Sequence, residues 1–564
     1  MKMPLAIGID NYKELIDKKY YYVDKTLLIK NLLDNQGKVN LITRPRRFGK
    51  TLALSMIKTY FEQEFNPDGS EINNQHYFEG KHIFTAGEYY RNEFCQYPVI
   101  SLSLKSARQP DFEMAYASLI DEISKEFGRH SYILQKEVLP SADRVKFTKI
   151  WERRADGIDY AKSLEFLSHC LEMYHHKKVI ILIDEYDVPL ESSYFRGFYG
   201  QMIDFIRSLF ESALKTNDSL EFSVITGCLR ISKESIFTGL NNLEIFSVLN
   251  QNYAEYFGFV QAEVEQLLQF YQILEKKEEV RHWYDGYLFG NIEVYNPWSV
   301  LNYVKEAVTN TISFPKPYWS NTSSNSIVRE LIDRADPAAK QEIELLIEDN
   351  AIEKPVHEDI TYEDIHKSQD NLWNFLFFTG YLKMTSKRFD GDMIYLTLKI
   401  PNAEIKYIYR NTILNWFNET LKTRNLSSLY HAVTTMDTDT FSRKVTEELG
   451  ETISFFDFAE NYYHGFLAGL LKGCPGYIVK SNRESGNGRP DLIMKTPSVQ
   501  GCAIIMEYKI AKRFEQMAAG CADALQQIKE QDYAKELRLE GYRNIISYGV
   551  CFYRKECLVK VKKL

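Results

Sequence analysis

Residues 38–51 read Lys-Val-Asn-Leu-Ile-Thr-Arg-Pro-Arg-Arg-Phe-Gly-Lys-Thr. The first six form a short strand, and a helical pattern covers 49–64. Between them lies a basic turn that ends in Gly49-Lys50-Thr51. A bound phosphate needs backbone N–H groups at a helix N-terminus, a lysine for the β/γ-phosphates and a hydroxyl for Mg²⁺. Gly49, Lys50 and Thr51 supply those parts in that order, with Arg47 and Phe48 completing the turn. Arg44 stands where the general phosphate-loop pattern has its first glycine, so the loop is arginine-rich rather than glycine-rich. A basic strand-to-helix turn without a ligand has much the same composition, and the flanking chain must decide between the two.

Outward from this stretch, strand and helix signals alternate. Residues 98–104 read as a second strand, and helical patterns follow near 112–128 and 160–176. Residues 178–183 form a third strand, nearly all apolar, as a strand buried on both faces would be. It delivers Asp184-Glu185 at its C-terminal end. An Asp there holds Mg²⁺, and the adjacent Glu orients an attacking water. A helix near 198–214 leads to a fourth strand, 220–226, which ends in Thr226-Gly227 with Arg230 beyond, a polar end suited to a γ-phosphate. Such alternation predicts a parallel, doubly wound sheet over residues 1–250. Residues 251–430 read as mostly helical, with a hairpin over 381–400 around Asp390-Gly391-Asp392 and a lid or winged-helix character. The Thr/Ser/Asp-rich segment 423–440 is the expected boundary.

The last part, residues 451–564, reads as a second α/β domain. A helix is expected over 453–472, strands over 476–481, 490–495 and 502–508, a long helix over 513–538, and closing strands over 544–553 and 557–561. Pro490-Asp491 leads into one strand, and Ala503-Ile504-Ile505-Met506 runs into Glu507-Tyr508-Lys509. Side chains at i and i+2 of a strand share a face, so Glu507 and Lys509 align. Two carboxylates and a lysine at one sheet edge suit Mg²⁺- or Mn²⁺-dependent phosphodiester hydrolysis. Arg489 and Lys512 are candidate phosphate contacts, and Glu484 is an alternative carboxylate.

The whole chain has 564 residues, 45% hydrophobic and 26% charged, which excludes a mostly disordered or collagen-like polypeptide. Its net charge of −8 excludes a uniformly basic nucleic-acid glove. Residues 501–564, however, hold 12 Lys and Arg against 8 Asp and Glu, so a basic tip sits on an acidic body. No CxxC pair or zinc-finger spacing occurs among the eight cysteines, which read as reduced thiols. No apolar run reaches the length of a membrane span, and no signal core follows Met-Lys-Met-Pro, so a cytoplasmic protein is expected. His175-His176 read as surface residues, and the aromatic stretch 283–298 as domain packing rather than base stacking.

As a set, several motifs make the N-terminal half resemble the bacterial AAA-ATPase-like family. They are Tyr22-Val23-Asp24-Lys25-Thr26, the loop 44–51, Asp184-Glu185-Tyr186-Asp187, Thr226-Gly227-Cys228-Leu229-Arg230, Asn241-Asn242 and Trp283-Tyr284-Asp285-Gly286-Tyr287. In that family the arginine-rich loop is usual. Residues 453–564 resemble the PD-(D/E)xK nuclease superfamily through Pro490-Asp491 and Glu507-x-Lys509. Glu460-Asn461-Tyr462-Tyr463-His464-Gly465 resembles its first motif and Gln527-Ile528 a later one. The resemblance implies ATP and Mg²⁺ as ligands, Glu460 as an extra metal carboxylate, Gln527 as a positioning group, and DNA rather than RNA as substrate. An oligomer is compatible with it. A nucleotide-dependent switch, or an interaction protein whose nuclease fold only binds, remains the alternative.

Overall fold

The computed structural model describes residues 3–66, 68–229, 236–237, 240–310, 313–321, 336–357, 369–391, 393–410, 426–450, 460–481 and 490–564. It divides into two compact units, one of residues 1–328 with 351–407, the other of 329–350 with 408–564.

In the first unit, strands β1 (Val39–Thr43), β2 (Val99–Ser103), β3 (Val179–Asp184), β4 (Leu220–Gly227) and β5 (Leu243–Phe246) form one parallel sheet in the order β2-β3-β4-β1-β5. Every residue of β1 and β3 is buried, which is why β3 reads as an apolar run rather than an alternating one. Helices α1 (Lys50–Phe61), α2 (Phe112–Arg129), α3 (Ser163–His175) and α4 (Tyr199–Leu214) accompany the sheet. Asp111 caps α2 by accepting from the Met114 N–H at 2.8 Å. The topology has one consequence for chemistry. β4 is inserted between β1 and β3, with Thr226 paired to Ile42, so the ends of all three strands converge at the carboxyl edge. Ligands of open parallel sheets bind at that edge. The fifth strand has only four residues, too short for a periodicity to reveal it.

The rest of this unit adds helices α5 (Gln261–Phe270) and α6 (Pro297–Thr309), and an antiparallel sheet of β6 (Ile352–Val356), β7 (Lys383–Asp390) and β8 (Met393–Lys399) in the order β6-β8-β7. The expected hairpin is thus part of a three-stranded sheet. Glu404 is fully buried here, its carboxylate accepting from Ser299 Oγ at 3.0 and 2.8 Å and from the Trp319 N–H at 2.8 Å. Burial pushes its pKa from 4.5 up to about 7, partly offset by those donors. The folded state therefore holds the proton more tightly than the unfolded chain does. That stability is complete below pH 4.5 and is lost as pH rises through about 7, an effect of about 3 kcal/mol. Glu404→Gln should remove most of this pH dependence, measured as Tm at pH 5 and pH 8. An equal fall of Tm in both proteins would contradict it.

The second unit is built on β9 (Ile478–Ser481), β10 (Leu492–Lys495), β11 (Cys502–Ile510), β12 (Asn544–Tyr553) and β13 (Glu556–Lys563), adjacent in chain order. Only β11 and β12 are parallel to one another, and helix α10 (Met517–Glu530) lies in their crossover. Helices α7 (Ser427–Thr435), α8 (Thr438–Gly450) and α9 (Glu460–Leu471) precede the sheet. Within the expected boundary segment 423–440, the chain from Ser427 onward is helical and docked. Tyr548 Oη donates to the Val433 carbonyl at 2.7 Å, and the Val559 N–H donates to Ser442 Oγ at 3.0 Å. Its polar residues serve as caps, Asp437 accepting from the Thr440 N–H at 3.0 Å. The helix expected over 513–538 is also interrupted. It stops at Glu530 and restarts at Lys535, with Asp532 in the left-handed region at φ 48°. Among the described residues, no helix is long and apolar enough to cross a membrane.

Candidate functional sites

The first site grows from the turn between β1 and α1. Gly49 at φ 86° caps α1, and Arg47 also has positive φ, at 70°. Glycine tolerates such a conformation at no cost, whereas Arg47 is held there by its surroundings. Arg44 replaces the usual glycine without obstructing the loop, because its side chain turns away into the protein. It is fully buried and donates to the carbonyls of Thr43 and Phe246 at 2.8 Å and of Asn252 at 3.1 Å. Its guanidinium also lies over the rings of Phe257 and Phe289. Phe48 is fully buried too, its ring against Tyr287 and Phe289. Arg46 pairs with Glu191, and Arg47 stacks over Trp298 with its charge 4.2 Å from the ring centre. The Lys50 ammonium lies back on the loop, donating to the carbonyls of Arg44 at 2.8 Å and Pro45 at 2.9 Å.

Asp184 organises the strand ends. Thr51 Oγ1 donates to its Oδ2 at 2.6 Å, and Thr226 Oγ1 donates to its Oδ1 at 2.5 Å. Thr226 is fully buried, so its hydroxyl serves to hold Asp184. Glu185 follows at φ 51°, and burial together with the Asp184 charge raises its pKa above the ordinary carboxyl range. Asp187 accepts from the N–H groups of Cys228 at 2.8 Å and Leu229 at 3.2 Å, which ties the β3 end to the β4 end. Gly227 is required there, since a Cβ would lie 2.5 Å from the Tyr186 ring. Arg230 lies outside the described residues.

Beside the loop is a cavity of about 450 Å³, within the range of small-molecule sites. Its polar lining includes Gly49, Lys50, Thr51, Glu185 and Lys105. Its apolar lining includes Leu15, Tyr22, Val23, Met56, Phe259 and Trp298. The motif Tyr22–Thr26 thereby acquires a place, as part of the cavity wall. So does Trp298 of the aromatic stretch, which lines the same cavity.

The second site lies on β10, β11 and α10. Asp491, just before β10, accepts from the Tyr508 N–H at 2.8 Å, which holds its carboxylate against β11. Glu507 is buried, and its Oε1 lies 3.8 Å from Lys509 Nζ. Gln527 on α10 bridges them, accepting from Lys509 Nζ at 2.5 Å and donating to Glu507 Oε1. Tyr533 Oη lies 3.3 Å from Gln527 Nε2. His464 on α9, within the Glu460–Gly465 motif, places Nε2 3.8 Å from Asp491 Oδ1. Glu460 opens the same helix, but its side chain lies outside the described residues, as do Glu484 and Arg489. Both donor sets are hard oxygens of the kind Mg²⁺ and Mn²⁺ prefer, so both fit such an ion. Among the described residues, no cluster of three or more His, Cys, Asp or Glu side chains is assembled for a metal.

His175, read as a surface residue, is instead half-buried, with Nε2 2.8 Å from Tyr132 Oη and Nδ1 3.2 Å from Gln63 Oε1.

Residues 6–237 match the family model of a predicted AAA-ATPase, and residues 458–562 match that of the PD-(D/E)XK nuclease superfamily. Over 563 residues the chain is 25% identical to a protein of Azotobacter chroococcum mcd 1 described as "Uncharacterized protein in vnfD 5'region". That similarity covers 95% of this chain and 94% of the relative, so both segments fall within it.

Proposed function

We propose that this chain, an AAA-ATPase-like segment joined to a PD-(D/E)XK segment, binds and hydrolyses ATP and uses its C-terminal domain to cut phosphodiester bonds in DNA. The observation that carries the cutting activity is the bonded chain Glu507–Gln527–Lys509 beside Asp491. Gln527 sets the lysine and the carboxylate relative to each other, an arrangement useful only if both address one reacting group.

In the first site, Lys50 moves from the loop carbonyls to the β/γ-phosphates. Thr51 and Asp184 offer oxygens to Mg²⁺, and Thr226 keeps Asp184 oriented. Glu185 orients the attacking water, with Arg47 and Arg230 answering phosphate charge. The adenine ring packs against apolar side chains of the cavity wall, Tyr22 and Met56 among them. In the second site, Asp491, Glu507 and Glu460 hold Mg²⁺ or Mn²⁺, and Lys509 stabilises charge or accepts the water proton. The metal, when bound, polarises the scissile phosphate and lowers the pKa of its water. A cytoplasmic protein whose ATP state governs access to DNA fits these parts.

The test is a divalent-metal titration of the full chain on supercoiled, linear and single-stranded DNA, with and without ATP. Metal-dependent cutting is expected. ATP binding without cutting of any substrate would transfer the conclusion to the nucleotide-switch reading.

A further inference from the structure

Lys105 follows β2, the strand beside β3, and no loop or strand motif singled it out. Its position is fixed by the main chain. Ser103 pairs with Asp184, and the Leu104 N–H donates to the Asp184 carbonyl at 3.0 Å, so Lys105 is the first residue beyond a direct tie to the carboxylate strand. The loop is tied from a second direction. Buried Glu191 accepts from Arg108 Nη2 at 2.7 Å with one carboxylate oxygen and pairs with Arg46 through the other. The phosphate loop and the loop after β2 thus share one carboxylate and keep a common geometry.

Lys105 lines the cavity together with Glu185, Lys50 and Thr51, and its charge, like that of Lys50, acts on Glu185. Among the described residues, its ammonium makes no hydrogen bond or ion pair, whereas Arg44, Arg46 and Arg108 are all engaged. An exposed lysine whose charge acts on Glu185 without an ion pair, on a loop clamped at two points, suits an anion that arrives between them.

We propose that Lys105 is a catalytic residue of the ATP site, contacting the γ-phosphate and stabilising its charge during hydrolysis. The proposal rests on the ATP reading above. In the step, a water oxygen bonds to the γ-phosphorus and the bond from that phosphorus to the β,γ-bridging oxygen breaks. The bond pair leaves on the β-phosphate of ADP, and the water proton passes through Glu185 to solvent. Negative charge grows on the bridging and γ-oxygens, and a fixed cation there acts on the transition state more than on bound ATP. Because Lys105 belongs to the same unit as the phosphate loop, this cation is supplied in cis, and a neighbouring subunit need not contribute one.

The experiment measures ATP affinity and steady-state hydrolysis for the full chain, Lys105→Ala and Lys105→Arg, each also over a serial dilution of protein. Lys105→Ala should lower kcat about 10²-fold or more, with ATP affinity within about threefold of wild type. Lys105→Arg should recover part of the loss, and wild-type specific activity should not change on dilution. Unchanged kcat in Lys105→Ala overturns the proposal, as does equal loss of binding and turnover. Activity that falls on dilution overturns its cis character. Wild type that binds ATP without hydrolysing it overturns the role of Lys105 but leaves nucleotide binding intact. Wild type that binds no ATP overturns the ATP reading itself.

Discussion

Asp491→Ala and Glu507→Ala should each abolish metal-dependent DNA cleavage, because the carboxylates that remain cannot hold the ion in register with the phosphate. Glu507 is buried and bonded to Gln527, so truncation also leaves that amide without its acceptor. Glu507→Gln and Asp491→Asn keep the shape and an acceptor oxygen, and they should be as inactive as the alanine variants. Lys509→Ala should leave metal binding nearly intact and lower the rate about 10²-fold or more. DNA binding should survive every one of these changes and weaken with salt, since backbone contacts dominate affinity. The measurement is cleavage rate against metal concentration, with binding followed separately. Wild-type rates in Asp491→Asn would show that any cutting arises elsewhere.

Lys50→Ala should weaken ATP binding by about tenfold or more, since it removes a cation from the β/γ-phosphates and leaves the Arg44 and Pro45 carbonyls without their donor. Glu185→Gln should bind ATP normally and hydrolyse it about 10²-fold more slowly, because water orientation is lost while Thr51 and Asp184 persist. The Glu185 carboxyl titrates above the ordinary range, from burial first and the Asp184 charge second. Its charged form is the useful one, so kcat should rise with pH through that raised value, and the rise should disappear in Glu185→Gln. Full ATP affinity in Lys50→Ala, or a pH profile shared by both proteins, would contradict this assignment.

Several residues were legible in one sense and hidden in another. Arg44 was plainly a departure from a glycine-rich loop. That its guanidinium leaves the loop for three carbonyls and two rings depends on β5 and on the segments near 252 and 289. Thr226 was read as facing a phosphate, but its hydroxyl is satisfied by Asp184, because β4 lies between β1 and β3. Lys105, Glu191 and Tyr533 carry no local signal. Each matters through a partner 18 or more positions away or through a cavity wall, apart from Tyr533, which reaches Gln527 across the break between two helices. The helices of the polar segment near 430 were not legible from its composition, because Ser, Thr and Asp serve helix caps as readily as linkers.

The sequence by itself determined the alternation of buried strands and helices, the position of Gly49-Lys50-Thr51 at a helix start, and the carboxylates at strand ends. These depend on local periodicity and on chain order, which a linear text carries in full. Only the tertiary structure decided which strand separates β1 from β3, which groups wall the cavity, and that Gln527 joins Lys509 to Glu507. Those are contacts between segments distant along the chain. They follow from how sheets and helices bury their apolar faces together, and no single segment specifies that arrangement alone.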